Sequence, residues 1–104
     1  MISNDLRKRI KQCLSIVDTA TAKDDEIDMW TEAAIADLER QGIYARGNVL
    51  DRPLVVSAIA LFVRAHFGMS DERQKDLNQK TYNLFCHNLS LSGDYLETGA
   101  DYNA

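Results

Sequence analysis

The stretch "PLVVSAIALFVRAHF", residues 53–67, decides the fold because it is apolar on almost every side. Polar side chains interrupt it only at Ser57, Arg64 and His66. Pro53 suits the first turn of a helix, where its missing N–H costs nothing, and Gly68 marks the end. A helix with no polar face has to be surrounded by protein, and this one is too short to span a membrane. The stretch therefore predicts a nearly all-apolar central helix whose spare surface meets a protein partner, with no membrane contact.

A second helix is predicted between Asp24 and Gly42, where apolar side chains recur at spacings of three and four. These side chains are Ile27, Trp30, Ala34 and Leu38. Gly42 stands where a left-handed residue ends many helices, and Ile43 can fold back onto the last turn. The pattern is typical of a helix with one buried face.

Four acidic residues, Asp24, Asp25, Glu26 and Asp28, cluster at the start of this second helix. We expect Asp24 to be the N-cap, accepting from backbone amides of the first turn, and the others to lie where the helix dipole favours negative charge. The acids follow one another too closely to converge on a metal ion, and the central glycine of an EF-hand loop is missing. The cluster therefore predicts a helix start and no metal or catalytic site.

Two further helices flank these two. The first, over residues 4–17, is predicted to bury one apolar stripe, made of Leu6, Ile10, Cys13, Leu14 and Val17. Ser70, followed by Asp71 and Glu72, opens the last helix, which ends at Ser92-Gly93. The predicted buried face of that helix carries Leu77, Thr81, Leu84, Phe85, Asn88 and Leu89.

The whole pattern predicts an all-α fold of about four helices with short loops. We expect a single domain over residues 1–104, with a core over about residues 4–92. Residues 93–104 are acidic, contain two tyrosines and have no periodicity, so they are predicted to form a flexible tail.

Composition limits the partners of such a domain. The formal net charge of −4 argues against a protein that grips phosphates, since that grip comes from lysine and arginine. The one basic run contains Arg7, Lys8, Arg9 and Lys11, and we interpret it as a solvated helix face. Cys13 and Cys86 are too few for a disulfide framework. Reduced thiols in an intracellular setting are expected, and a single Cys13–Cys86 bridge is the alternative.

Patterns typical of catalysis or metal binding are not found. His66 lies on the apolar side of the central helix, which favours a packed histidine. His87 adjoins Cys86, but neighbouring residues of a helix point about a hundred degrees apart and cannot bind one metal ion together. The glycines are scattered and form no phosphate-binding loop. We therefore predict no catalytic residue, no cofactor and no metal.

Three segments in this order carry a family resemblance. They are "DLERQGI" at 37–43, "DRPLVVSAIALFVRAHFG" at 51–68 and "YNLFCHNLSLSGDY" at 82–95. With the short first helix, they make the chain resemble the bacteriophage head–tail connector family of small phage DNA-packaging proteins. The resemblance covers about residues 4–96, and its most specific parts are "AIALFVRAHFG" and "NLSLSGDY". The loop around residues 46–51 departs from the family pattern, which leaves the role of the connection 43–52 open.

The resemblance implies a structural protein and not an enzyme. Its members are helical and assemble after DNA packaging into a ring of about a dozen subunits, which requires heterologous contacts between neighbours. The ring lies below the portal protein in the virion neck, extends the DNA channel and docks a downstream neck or tail-completion protein. It touches passing double-stranded DNA without binding it specifically, and it would be assembled in the bacterial host cytoplasm.

The same resemblance suggests roles for two groups of residues. Aromatic and aliphatic side chains on an acidic tail make plausible anchors for the portal, which points to Tyr95, Leu96 and Tyr102. A channel for sliding DNA should repel phosphates, so we expect Asp25, Glu26 and Asp28 to face it.

Two other classes of function remain as alternatives. A small prophage-encoded regulatory or DNA-binding helical protein should carry a basic recognition helix, whereas the third helix here is the least polar in the chain. An enzyme would need a site assembled from scattered residues, and His66 is the residue whose replacement would reveal it.

Overall fold

The computed structural model describes residues 2–17, 19–46, 49–67 and 71–91. Within these residues the chain forms four α-helices and one 3-10 turn and contains no strand, which confirms the all-α prediction. The helices are α1 (Asn4–Cys13), α2 (Asp24–Arg40), α3 (Pro53–His66) and α4 (Glu72–Ser90), and the 3-10 turn is Val49–Asp51. The predicted tail, residues 93–104, and the predicted helix end at Ser92-Gly93 lie outside the described residues.

The helix α3 lies at the centre, packed against α1, α2, α4 and the 3-10 turn. Pro53 occupies its first turn, as predicted. Its buried side chains are Val55, Val56, Ala58, Ile59, Ala60, Val63 and Ala65. Leu54, Ser57 and Arg64 remain exposed, so the other helices cover α3 on most of its circumference but not all round. One hydrophobic core contains buried residues from all four helices.

The end of α2 is the one that the sequence predicts. Gly42 has a φ of 83° and donates its N–H to the carbonyl oxygen of Glu39 at 2.9 Å. The N–H of Ile43 reaches the carbonyl oxygen of Leu38 at 2.9 Å, which completes a Schellman motif. Ile43 is fully buried and thereby ties this turn to the core.

The predicted cap at the start of α2 is wrong. The N-cap residue is Lys23, which makes no side-chain capping bond, and Asp24 is the first residue of the helix. The carboxylate of Asp24 accepts a bond from Lys11 Nζ at 2.9 Å. A charged donor on a neighbouring helix takes the place of the backbone amides, because charge-assisted bonds are stronger than neutral ones.

The first helix is shorter than predicted. It ends at Cys13 instead of residue 17, because Ser15 adopts a left-handed φ of 61°. Ser15 N–H bonds the Gln12 carbonyl at 3.1 Å and Ile16 N–H bonds the Lys11 carbonyl at 2.8 Å, again the Schellman pattern. Val17, predicted to be in the core, is 67% exposed.

The last helix has a different cap and a different buried face from those predicted. Its N-cap is Asp71, whose carboxylate accepts the N–H of Gln74 at 2.7 Å, whereas Ser70 lies outside the described residues. The residues it buries are Asn78, Tyr82, Cys86 and Leu89. Of the predicted face, Leu89 is buried and Phe85 is half-buried, whereas Leu77, Thr81, Leu84 and Asn88 are exposed. The helix is rotated so that Tyr82 and Cys86 pack inward, whereas Leu77 and Leu84 face outward.

The two left-handed residues give matched stability predictions. Ser15→Gly should raise the free energy of unfolding by about 0.5–1 kcal/mol, because glycine adopts a positive φ without the steric cost that other residues bear. Gly42→Ala should lower it by about 1–2 kcal/mol. A Cβ at residue 42 would have no atom within 4 Å, so that loss is purely conformational. Urea unfolding measures both, and a destabilised Ser15→Gly variant would contradict the described turn.

Candidate functional site: the outward faces of two helices

The outward side of α4 carries three leucines in line. Leu77, Leu84 and Leu91 are 56%, 63% and 74% exposed, and they recur every seven residues. Side chains seven apart on a helix lie on the same side, two turns apart, so the three form one aligned row, which we call the leucine row. Single exposed leucines are common on protein surfaces, but an aligned set of three is typical of an interaction surface.

A second set of side chains borders the leucine row. Arg73, Lys80 and His87 are exposed and also recur every seven residues, and we call them the basic row. Lys80 contacts Asp76 at 3.1 Å in an ion pair that lies largely in solvent. Such pairs contribute little to stability, so Lys80 can exchange this partner at small cost.

The three acids predicted to face a DNA channel differ in their surroundings. Asp25 is exposed, whereas Glu26 is half-buried and lies 3.9 Å from Lys23. Asp28 accepts two bonds from the Arg7 guanidinium, at 2.8 and 2.5 Å. Asp25 is therefore the most accessible of the three, and Asp28 is engaged with α1. The predicted partner-binding residues Tyr95, Leu96 and Tyr102 lie outside the described residues.

The basic run of α1 is only partly the solvated face that the sequence suggests. Lys8 and Arg9 are exposed, but Lys11 is almost fully buried and donates to the Ala20 carbonyl at 2.7 Å as well as to Asp24. The Arg7–Asp28 and Lys11–Asp24 pairs thus hold α1 against the start of α2. The interpretation as a solvated face is wrong for Arg7 and Lys11, since spacing alone does not reveal these cross-helix acids.

A polar cluster around the half-buried Asp37 joins α2 and α4. Tyr82 donates its hydroxyl to Asp37 Oδ2 at 2.6 Å, and Gln41 and Arg40 donate to the same carboxylate at 2.9 and 2.7 Å. Burial opposes ionisation of Asp37, but the bonds from Tyr82 and Arg40 outweigh it and leave the pKa of this carboxyl below its ordinary value. The Tyr82–Asp37 bond, together with the burial of Tyr82, Cys86 and Leu89 in the core, holds this side of α4 inward.

Burial also affects the protonation of Tyr82 and of Cys86, which lies one turn further along α4. Burial, reinforced by the bond to Asp37, raises the pKa of the Tyr82 hydroxyl far above its ordinary value. Burial also raises the pKa of the Cys86 thiol, and a thiol that stays protonated is a poor nucleophile. These properties favour a structural role for the cluster. The sequence gives one signal for it, since Asn78, Tyr82, Cys86 and Leu89 also share helical spacing.

His66 is packed among aromatic rings, and the two cysteines form no disulfide with each other. His66 stacks on Trp30 with ring centroids 4.8 Å apart and packs against Phe62 at 4.4 Å. Cys13 and Cys86 are both free thiols. In the described part of the chain, no group of three or more metal-binding side chains could hold an ion. None of the helices described is long and apolar enough to cross a membrane.

Comparison with known proteins gives no further assignment. A scan against family models found no match, and searches of curated proteins and of solved structures found none either.

The Asp37 cluster gives a prediction about acid stability. A carboxyl whose pKa is lowered in the folded state stabilises the fold above its unfolded pKa, about 4, and loses that contribution as the pH falls through the folded value. The free energy of unfolding should therefore fall more steeply below about pH 4 in the wild type than in Asp37→Asn. Equal slopes for the two proteins in urea titrations would contradict this.

The hydroxyl of Tyr82 gives a second stability prediction at neutral pH. Tyr82→Phe removes a bond to a charged acceptor and should cost about 1.5–3 kcal/mol in urea unfolding. Tyr44→Phe is the matched control because Tyr44 is exposed and its ring contact with Arg52 would remain. Equal effects of the two substitutions would exclude a special role for the Tyr82–Asp37 bond.

Proposed function

We propose that the chain is a structural subunit of a bacteriophage head–tail connector, which forms a ring below the portal protein and extends the DNA channel. The leucine row of α4 is the observation that carries this proposal. Three aligned, exposed leucines are typical of a protein interface and are not expected on a protein that works alone. A ring subunit needs such contacts on two sides. The resemblance of the sequence to connector proteins supplies the biological setting.

In this setting the described surfaces have distinct tasks. The leucine row supplies contact with other copies, and Asp25 and Glu26 lie where carboxylates would keep packaged double-stranded DNA from adhering. Asp28 adds negative charge to the same region while it holds α1. The tail residues Tyr95, Leu96 and Tyr102 anchor the ring to the portal protein, and the opposite side docks the downstream neck or tail-completion protein. The protein then acts in the virion neck, after assembly in the bacterial host cytoplasm, without catalysis or cofactors.

A small regulatory DNA-binding protein is the second candidate, and the basic row of α4 is the feature that favours it. That row has only three members and lies beside three exposed leucines, which have no hydrogen-bonding group for base edges. The acidic total charge also weakens any grip on phosphate. Duplex DNA affinity, measured by fluorescence anisotropy over a range of salt, separates the two. Tight, salt-dependent binding would favour the regulator.

The assembly state is the main test of the connector proposal. Native mass spectrometry over a concentration series should reveal rings of about a dozen subunits, the size implied by the family resemblance. Purified protein that forms a stable dimer and nothing larger would count against a connector, because a two-subunit contact is closed and leaves no surface for a ring.

The channel acids give a test in the phage that encodes the chain. Particles carrying Asp25→Lys and Glu26→Lys should eject DNA more slowly, because cations in the channel attract phosphates. The matched control is Asp51→Lys and Glu72→Lys, which changes two exposed acids elsewhere by the same charge. Circular dichroism checks that both variants fold. Equal ejection rates in the two variants would contradict a channel position for Asp25 and Glu26.

A further inference from the structure

The outward side of α2 carries rows that match those of α4. Met29 is 53% exposed, and Ala36, seven residues later, is exposed as well. Beside these two run Asp25, Glu32 and Glu39, also spaced by seven, which we call the acidic row. Each of the two helices thus presents an apolar line with a charged line next to it. The charges have opposite signs on the two helices.

The relative position of the lines is the same on both helices. In α4, Lys80 stands three residues after Leu77 and four residues before Leu84. The other members of the basic row have the same spacing from their neighbouring leucines. In α2, Glu32 stands in the same relation to Met29 and Ala36. When two helices pack antiparallel, equivalent positions of the heptad meet across the seam. Antiparallel packing of α4 on α2 therefore sets the basic row against the acidic row.

We infer that the leucine row of one copy packs antiparallel on the Met29–Ala36 line of α2 of the next copy. This inference rests on the ring proposed above and names the two surfaces that build it. Small side chains at Ala33 and Ala36 allow the two helices to approach closely. The contact joins two different patches of one chain, so it is heterologous and can continue from copy to copy until a ring closes.

Charge argues against the simpler contact in which α4 meets α4 of a second copy. Antiparallel α4 helices would set the basic rows of the two copies against each other, and the like charges of Arg73 and Lys80 would repel across the seam.

The positions of the two helices also favour a contact between different patches. Both α2 and α4 pack on α3, and Tyr82 and Asp37 join their inward sides, so their outward faces remain accessible together.

Contacts within the subunit compete with the contact between copies, because Glu32 and Glu39 are half-buried and lie close to Arg46. Arg46 lies 3.0 Å from Glu39 and 3.8 Å from Glu32, and it is itself half exposed. Asp25, at the N-terminal end of the acidic row, can border the channel while Glu32 and Glu39 meet the neighbour. Partly exposed pairs of this kind exchange partners at little cost.

Two face-disrupting variants test the inference by sedimentation velocity. Leu84→Asp damages only the α4 face, and Met29→Asp damages only the α2 face. Each variant alone should assemble at least about thirtyfold more weakly than wild type, the loss typical of removing a central anchor. An equimolar mixture should form heterodimers, because each variant still offers one intact face. Val17→Asp, at another exposed apolar residue, is the control and should assemble like the wild type.

Charge reversal gives a second test that does not disturb apolar packing. Arg73→Glu with Lys80→Glu makes both faces of a copy acidic, and Glu32→Lys with Glu39→Lys makes both predominantly basic. Neither variant should assemble alone, and mixing the two should restore assembly. Circular dichroism confirms that each variant folds before it is mixed.

The outcomes distinguish this interface from the ring proposal. Assembly that survives Met29→Asp but not Leu84→Asp would overturn the α4–α2 contact and indicate α4 against α4. Assembly that survives both substitutions would overturn the interface, and a ring built through other surfaces would remain possible. Wild-type protein that stays monomeric up to about 1 mM would overturn the contact as a route of self-association and assign the leucine row to another protein.

Discussion

The helix α3 places the strictest demand on this fold, because it offers almost no polar side chain to water. In the described part of the chain three other helices pack on α3, and each of them has to turn its most apolar side toward it. Their outward sides are what remains for contact with other molecules. The position of α3 therefore determines both where the core lies and which surfaces the chain can present to other molecules.

The hydrogen bond that the Asp37 carboxylate accepts from Tyr82 bears on which side of α4 packs against α3. Two sides of α4 are apolar enough to be buried, one with leucines and one with Tyr82, Cys86 and Leu89. The bond from Tyr82 to Asp37 satisfies a polar group in the core and holds the second side inward. As a result the leucine row is directed away from α3. An interaction between the buried Tyr82 and the half-buried Asp37 thereby favours the exposed surface on which the proposed assembly depends.

Local signals in the sequence predict the helices well and their environment less well. Pro53 and Gly42 mark a helix start and a helix end, because their effect depends only on their own backbone. The left-handed turn at Ser15 is not predicted, because the residue typical of such a helix end is glycine and not serine. The buried Lys11 and the rotation of α4 were missed for another reason, since both depend on acids that lie on α2, far away in the sequence. The sequence named Asp25, Glu26 and Asp28, whose position at a channel stays a prediction, whereas the leucine row required the structure.

In the proposed assembly, α4 of one copy lies on α2 of the next in a closed ring. A three-dimensional reconstruction of the assembled protein by electron cryomicroscopy tests it most directly. We predict a ring in which α4 runs antiparallel to α2 of the neighbour and Leu77, Leu84 and Leu91 are buried between the two. A particle in which these leucines face solvent, or meet the same leucines across a twofold axis, would contradict the account.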